Sequence, residues 1–362
     1  MRLINRRSRV SISILYTRPL VQPKAHAPAA RAPTQLPTRR DASIARISHL
    51  GMSSTNEINA KKTVAKADAF MKPSLTRWKP DYDRAVDLYA EAARLYRASG
   101  DYASATLVEE KSAEASLLLT NYWDAGKTFE RACESAVKKV PMDGAAVLAL
   151  AERAAEAYAS ANRVQVGAEA MSRASRLVED SDLLTSTALL RRSLEIFEDD
   201  EKDLYAGEHH RRLCAQLTRT GEYTDAAEAC LKYAESCSRA GQSNSMAKAY
   251  LSAIVAFLYS GDGIGAQSTY ADVCEIPEFE KSEERETAYK LLSAYRDADV
   301  EAIKSTVAQS NCLRFLDVAF TRLAAKLPNV AHDVASVAAE MGGKSQGASG
   351  DTTDEDAAED LC

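Results

Sequence analysis

Apolar positions recur with a helical period over residues 58–327, and the pattern itself repeats along the chain. Tyr82, Tyr102 and Tyr122 stand at twenty-residue intervals. Each is followed three positions later by an alanine: Ala85, Ala105 and Ala125. A polar residue precedes each tyrosine and an amphipathic stretch follows it, so each tyrosine is predicted to begin a helix.

The same signal returns, forty residues apart, at Tyr223 with Ala226 and at Gly263 with Ala266. One helix and its turn take about 20 residues, so two helices make a hairpin unit of about 40. Small alanines let neighbouring helices approach closely. Glycines followed by polar residues mark the predicted turns, at Gly100, Gly221, Gly241 and Gly261. The pattern predicts an all-α fold, a right-handed α-solenoid of antiparallel helix hairpins of the tetratricopeptide-like kind, with a C-terminal helical bundle region.

The longest apolar run covers residues 249–259. It is shorter than the roughly 20 apolar residues that a membrane-spanning helix needs. We therefore interpret it as a helix buried inside the protein.

Charge divides the 362-residue chain unevenly. Residues 1–51 contain ten basic residues and one acidic residue, and the remainder has 36 basic and 51 acidic residues. The acidic remainder disfavours nonspecific nucleic-acid binding. The first segment also holds five of the ten prolines and is predicted to be a disordered basic extension. Three explanations stay open: an extension upstream of a functional start at Met52, an organelle-targeting segment, or a basic interaction arm.

The other domain boundaries follow the helical pattern. Residues 52–327 are predicted to form the helical-repeat domain. Residues 328–362 are predicted to hold a helical end, a flexible Gly/Ser linker and an acidic tail that is available to a partner.

No catalytic constellation is present in the sequence. The string GDGIG at 261–265 lies between predicted helices rather than after a strand, so it reads as a turn and not as a dinucleotide site. His209, His210 and Cys214 approach metal-ligand spacing but have no further ligands nearby. The seven cysteines include no C-x-x-C pair and are read as reduced thiols. We predict a protein that is not an enzyme and has no metal site and no cofactor.

The segment before Tyr82 carries large apolar residues between basic ones. Phe70, Met71, Leu75 and Trp78 alternate with lysine, arginine and proline. In one reading Trp78 packs over the first hairpin. In the other, the segment is an exposed loop that inserts shallowly at a membrane surface.

Paired basic residues recur along the predicted helices. They are the doublets Lys138 with Lys139, Arg191 with Arg192, and Arg211 with Arg212. They form either solvated helix faces or part of a positive concave surface that grips an acidic helical bundle.

Three motifs resemble one known family. Residues 58–97, with the string RWKPDYD, look like the N-terminal part of the soluble NSF-attachment proteins (SNAPs), and the string points to the gamma branch. The VCEIPEF string at 273–279 and the acidic end closed by Leu361 and Cys362 are similar to the same branch. The family starts close to the position of Met52, which favours the upstream-start explanation for residues 1–51.

The resemblance implies a non-enzymatic adaptor that binds SNARE four-helix bundles of the syntaxin type, recruits the NSF hexamer and stimulates its ATPase. The family's NSF-binding tail corresponds here to Asp351, Asp354, Glu355, Asp356, Glu359, Asp360 and Leu361. Its membrane-attachment loop corresponds to the segment from Phe70 to Trp78. Arg163 matches a SNARE-binding position, whereas Glu169 stands where the alpha type has lysine.

The family also implies a cytoplasmic location, peripheral on membranes of the secretory and endocytic pathway. An alternative function is a generic helical-repeat scaffold for another partner, for example in organelle organisation. Loss of SNARE binding with retained binding to another protein would favour that alternative.

Overall fold

A computed structural model describes the backbone of residues 39–74 and 77–343 and the side chains of residues 54–74 and 77–330. The chain divides into two compact units, residues 1–49 and residues 50–362. Helix α1 begins in the first unit, and the helices that follow belong to the second.

The described residues form sixteen helices. The long helices of the repeat array are α1 (Arg39–Phe70), α2 (Tyr82–Ser99), α3 (Tyr102–Leu118), α4 (Tyr122–Lys138), α5 (Gly144–Ser160), α6 (Val164–Val178), α7 (Leu183–Asp199), α8 (Asp203–Thr220), α9 (Tyr223–Arg239) and α10 (Ser243–Ser260). Shorter helices and one long helix follow: α11 (Gly263–Val273), α12 (Pro277–Glu280), α13 (Glu283–Arg296), α14 (Val300–Gln309), α15 (Asn311–Arg314) and α16 (Val318–Gly343).

The predicted helix starts are confirmed. Helices α2, α3 and α4 begin at Tyr82, Tyr102 and Tyr122, where a side chain of Asp81, Asp101 or Asn121 accepts a backbone N–H of the first turn. The alanines three positions after each repeat start are fully buried: Ala85, Ala105, Ala125, Ala226 and Ala266. Each helix from α2 to α10 packs mainly on its neighbours in sequence, which confirms the predicted solenoid of helix hairpins.

The glycine turns are confirmed as well. Gly100, Gly221, Gly241 and Gly261 have φ values between 69° and 85°, the left-handed region in which glycine has no steric penalty. Other turns use residues that the sequence did not mark. Thr120, Asn162, Glu201 and Ala298 adopt positive φ without being glycine.

Helix α10 is the centre of the C-terminal region. Residues 249–258 are all buried, which confirms the buried helix predicted for the longest apolar run. Helices α9, α11, α12, α13 and α16 all pack on α10, so the last helices form a bundle around it rather than a continuation of the stack. Helix α16 also reaches back to α8.

Two of the predicted boundaries fall inside helices. Residues 39–51 were predicted to belong to a disordered extension, yet α1 begins at Arg39, and residues 1–38 lie outside the described range. Residues 328–362 were predicted to begin with a helical end, and α16 continues through Pro328 to Gly343. Proline removes one helical hydrogen bond and bends a helix without necessarily ending it, so α16 can pass through Pro328.

Candidate functional site

The loop between α1 and α2 has a closed base. The backbone N–H of Ser74 donates to the Arg77 carbonyl at 2.7 Å, and the N–H of Arg77 donates to the Ser74 carbonyl at 3.0 Å. The N–H of Asp81 donates to the Phe70 carbonyl at 3.0 Å, where α1 ends. We call residues 71–81 the first loop. Its two ends lie next to each other, at the end of α1 and the start of α2.

Arg77 fixes the end of α1. Its guanidinium donates to the carbonyl oxygens of Ala69 at 2.6 Å and Lys72 at 2.8 Å, and it stacks 4.5 Å from the centroid of the Phe70 ring. Helix C-termini leave carbonyls without partners, and a cationic side chain there satisfies both their hydrogen bonds and the helix dipole. The sequence had shown Arg77 only as a basic neighbour of apolar residues.

The four predicted loop residues separate into different environments. Phe70 and Met71 are half-buried and pack on the first hydrophobic cluster, which α1, α2 and α3 form. Trp78 is 92% exposed, so it does not pack over the first hairpin, and its insertion at a membrane surface stays a prediction. Leu75 lies outside the described residues. Lys72 and Lys79 are exposed in the same loop and give it positive charge.

A polar network fixes α1 on the next two helices. The Tyr89 hydroxyl donates to Asp68 at 2.5 Å, and the Lys111 ammonium contacts the same carboxylate at 3.1 Å. Burial by itself would raise the pKa of Asp68, but these two hydrogen bonds and the Lys111 charge hold that pKa below its ordinary value. The first loop is therefore carried by a helix end that side chains from α2 and α3 hold in place.

Arg163 lies at the edge of a groove. It precedes α6, its side chain is exposed, and it has no ion-pair partner in the part of the chain that the structure describes. The groove holds about 480 Å³ and is lined by Trp123, Ala161, Arg163 and Val166. We call it the Arg163 groove.

Trp123 forms the aromatic wall of the Arg163 groove. It is 39% exposed, packs edge-on against buried Tyr158 at 5.2 Å, and carries Lys127 over its ring at 5.0 Å. Large aromatic rings beside unpaired cations are typical of protein-binding surfaces. No motif in the sequence marks Trp123, although it and Trp78 are the two tryptophans of the chain.

All four arginines of the two arginine doublets form ion pairs within the molecule. Arg191 pairs with Asp225 at 2.8 Å, Arg192 with Glu195 at 2.7 Å, Arg211 with Glu208 at 3.0 Å and Arg212 with Glu179 at 3.3 Å. Arg212 also donates to Ser172 and Ser175 on α6, which ties α8 to the helix two positions earlier. The pairs of Arg191 and Arg212 join different elements, whereas those of Arg192 and Arg211 lie within one helix, and all four arginines differ from the unpaired Arg163.

The histidines and cysteine with metal-like spacing are core residues. His209 packs 4.9 Å from the Phe197 ring, and His210 stacks on Tyr233 at 5.4 Å. Burial lowers the pKa of both histidines, that of His210 to about 4. Cys214 faces Cys230 instead of a histidine. Within residues 54–74 and 77–330 no three His, Cys, Asp or Glu side chains are grouped to hold a metal ion.

The predicted tail residues, Asp351, Asp354, Glu355, Asp356, Glu359, Asp360 and Leu361, lie outside the described residues. None of the helices in the described part of the chain is long and apolar enough to span a bilayer.

Comparison with known proteins gives one consistent family. The family model described as "Soluble NSF attachment protein, SNAP" matches residues 54–328. The gamma-soluble NSF attachment protein of Arabidopsis thaliana is 34% identical over 267 residues, covering 74% of this chain and 91% of that protein.

Two more distant relatives agree. The gamma-soluble NSF attachment protein of Dictyostelium discoideum is 26% identical over 276 residues, or 76% of this chain and 84% of that one. The vesicular-fusion protein SEC17 of Komagataella phaffii is 27% identical over 260 residues, or 70% and 86%. A solved circular tandem repeat protein aligns with 85% of this chain and 80% of its own at 12% identity, but its TM-score of 0.34 is too low to support a structural conclusion.

Proposed function

This chain belongs to the soluble NSF attachment protein family and is similar to its gamma type, and on that premise we propose that it is an adaptor for SNARE disassembly. In this role it binds assembled SNARE complexes and brings the NSF ATPase to them during vesicle-mediated transport and membrane fusion. The family match over residues 54–328 carries the proposal, because it includes every helix from α2 to α15. The adaptor performs no chemical step of its own.

We propose that the Arg163 groove contacts the SNARE four-helix bundle, of the syntaxin type. Two observations support this choice: Arg163 is exposed and unpaired, whereas the arginine doublets are held in ion pairs within the array. An unpaired guanidinium beside Trp123 offers both charge and apolar area to an acidic helical surface.

We propose that the first loop makes a peripheral membrane contact. Trp78 is its anchor, since indole rings favour the membrane interface and Lys72 and Lys79 add attraction to anionic lipids. Phe70 and Met71 support the loop from the array side. We expect this contact to be shallow. The family match supports a peripheral location on the cytoplasmic face of secretory and endocytic membranes.

We propose that the acidic tail binds the NSF hexamer. The proposal rests on the family and on composition: a run of carboxylates attracts a basic surface over a distance, and one apolar side chain, Leu361, adds a short-range contact. Stimulation of ATP hydrolysis by NSF then depends on the tail.

The adaptor role is tested by ATP hydrolysis. Residues 52–362, the same protein with Leu361→Ala, and a control with Leu107→Ala at an exposed position of α3 are each added to NSF and a SNARE complex. We expect stimulation with the parent and the control and a strong reduction with Leu361→Ala. Equal stimulation by all three would contradict the proposed tail contact. Binding to neither SNARE complex nor NSF would refute the adaptor role and favour a scaffold for another partner.

The SNARE contact is tested by a matched pair of charge reversals. Arg163 precedes α6 and Lys202 precedes α8, both at the N-cap position, and neither side chain caps its helix. Glutamate near a helix N-terminus suits the helix dipole, so Arg163→Glu and Lys202→Glu are expected to fold normally. We expect Arg163→Glu to weaken SNARE-complex binding about tenfold, a loss of about 1.4 kcal/mol, and Lys202→Glu to change it little. Equal effects would refute a specific role for the Arg163 groove.

A further inference from the structure

Two cysteines from neighbouring helices lie in contact inside the C-terminal half of the array. The thiol of Cys230, on α9, donates to the sulfur of Cys214, on α8, at 3.4 Å. Their side chains are 2% and 1% exposed, respectively. Among the cysteines within the described residues, no other two are joined by a hydrogen bond. The adaptor role assigns nothing to this pair.

The pair lines a cavity that reaches the surface. The cavity holds about 180 Å³, and Arg211, Lys248 and Asp317 supply its charged groups. It is therefore large enough to admit molecules of a few heavy atoms.

Two phenylalanines near the start of α16 form one wall of the cavity. Phe315 is 70% exposed and lines the cavity, whereas Phe320, in the first turn of α16, also lines it but is buried. The thiols are thus buried from bulk water, yet they line the same cavity as the exposed Phe315. A small neutral oxidant that entered this cavity would meet both thiols.

We propose that Cys214 and Cys230 form a redox-modification site, at which a hydroperoxide converts the two thiols into an intramolecular disulfide. A disulfide requires an S–S distance of about 2.05 Å, so the sulfurs must approach by about 1.4 Å. Side-chain rotation together with a small movement between two adjacent helices supplies that distance. The proposal does not rest on the adaptor role.

The chemistry balances in two steps. Cys214 first loses its proton, and its thiolate attacks one peroxide oxygen. The O–O bond breaks, Cys214 becomes a sulfenic acid, and the hydroxide that leaves takes up the lost proton and departs as water. The sulfur of Cys230 then attacks the sulfenic sulfur, the S–O bond breaks, and the hydroxyl leaves with the Cys230 proton as a second water. The two thiols lose two electrons and two protons, and hydrogen peroxide is reduced to two waters.

The surroundings favour Cys214 as the first thiol to react. Burial raises the pKa of Cys230, which therefore keeps its proton and donates its S–H to the sulfur of Cys214. Arg211, one turn earlier on α8, and Lys248 on α10 add positive charge, and Asp317 opposes them.

Peptide mapping of the unmodified full chain tests the proposal directly. Arg219 lies between the two cysteines, so trypsin separates them into peptides Leu213–Arg219 and Thr220–Lys232, and Cys237 falls in a third peptide. After hydrogen peroxide treatment of the folded chain, we expect the first two peptides to be joined and to separate on reduction. The proposal is overturned if Cys214 and Cys230 stay reduced in the folded chain at a peroxide dose that oxidises the unfolded chain. A link from either cysteine to Cys237 instead would also overturn it.

Two serine variants add a matched control. Cys230 and Cys237 lie on the same helix, and both are 2% exposed. We expect C230S to abolish the linked peptide and to leave Cys214 as a sulfenic acid that dimedone traps, while C237S keeps the link. Formation of the link in C230S, or its loss in a folded C237S, would refute the assignment. The mapping of the unmodified chain decides the question even if a variant fails to fold.

Discussion

Close approach between α5 and α6 depends on one glycine. A Cβ added to Gly167 on α6 would lie 3.0 Å from both the Cα and the carbonyl oxygen of Ala155 on α5. These are backbone atoms, which cannot rotate away, so α5 and α6 must separate if residue 167 gains a methyl group. Gly207 on α8 offers a matched control, because its added Cβ would meet only the Tyr233 ring at 3.8 Å, an ordinary contact.

The expected free energies follow from two opposing terms. Alanine in place of a helical glycine stabilises a helix by about 1 kcal/mol. Overpacking against backbone costs about 1–3 kcal/mol. Gly207→Ala receives only the first term, so we expect the free energy of unfolding to rise by about 1 kcal/mol. Gly167→Ala receives both, so we expect a net loss of about 1 kcal/mol and a difference between the variants of about 2 kcal/mol.

Urea unfolding followed by far-UV circular dichroism measures both variants against the parent. The midpoints are compared at a common slope, since neither change alters how much surface unfolding exposes. If Gly167→Ala were stabilised as much as Gly207→Ala, the two helices would not be in backbone contact, and the account of their packing would be wrong.

Three further predictions concern other parts of the array. Glu109→Ala removes a buried carboxylate that pairs with Arg97 on α2 and accepts a hydrogen bond from the Ser135 hydroxyl at 2.7 Å. In urea unfolding we expect the free energy of unfolding to fall by about 3 kcal/mol, against about 1 kcal/mol for Ser135→Ala. Equal losses for the two variants would contradict the buried ion pair. Burial lowers the pKa of His210 from 6.5 to about 4, so the unfolded chain takes up a proton at this histidine at a higher pH than the folded chain does. The stability that neutral His210 contributes is therefore complete above pH 6.5 and falls as pH drops toward 4. His210→Gln should flatten this pH dependence of the free energy of unfolding, measured from about pH 7.5 to 5. Arg77→Ala exposes two carbonyls at the end of α1, so amide hydrogen exchange over residues 70–81 should accelerate, whereas Lys79→Ala, at an exposed position, should leave it unchanged; equal rates would show that Arg77 does not hold the loop.

The repeat array was accessible from the sequence because its signals are local. A capping side chain, a tyrosine and an alanine three positions later all act within one turn of helix, and so do the glycines that end helices. The family prediction, made from three short motifs, was confirmed by the match over residues 54–328. Turns without glycine were not predicted, because Asn162 and Glu201 adopt positive φ, which the sequence pattern led us to expect only of glycine.

The candidate site was less accessible, because its character depends on contacts between helices that are distant in sequence. In the sequence, the doublets that contain Arg191 and Arg212 cannot be distinguished from basic pairs without partners. In the structure, Asp225 and Glu179, which lie far away in the sequence, form their ion pairs. Trp123 gave no signal beyond its rarity, since its exposure depends on where α5 and α6 place Tyr158 and Arg163. The sequence left open whether Trp78 packs over the first hairpin or is exposed, and the structure shows that it is exposed.

Nearest-neighbour packing from α2 to α10 also has a consequence for how such a protein changes over evolutionary time. A substitution on one helix is felt mainly by the helices on either side, so mutations in distant repeats act almost independently. Independent substitutions of this kind are compatible with the 34% identity to the Arabidopsis thaliana relative. The exceptions are ties that skip a helix, such as Arg212 reaching Ser172 and α16 reaching α8. At those places we expect a substitution to be tolerated only together with a compatible substitution in its partner. The chain is therefore constrained where helices that are not consecutive touch, and it varies more freely elsewhere.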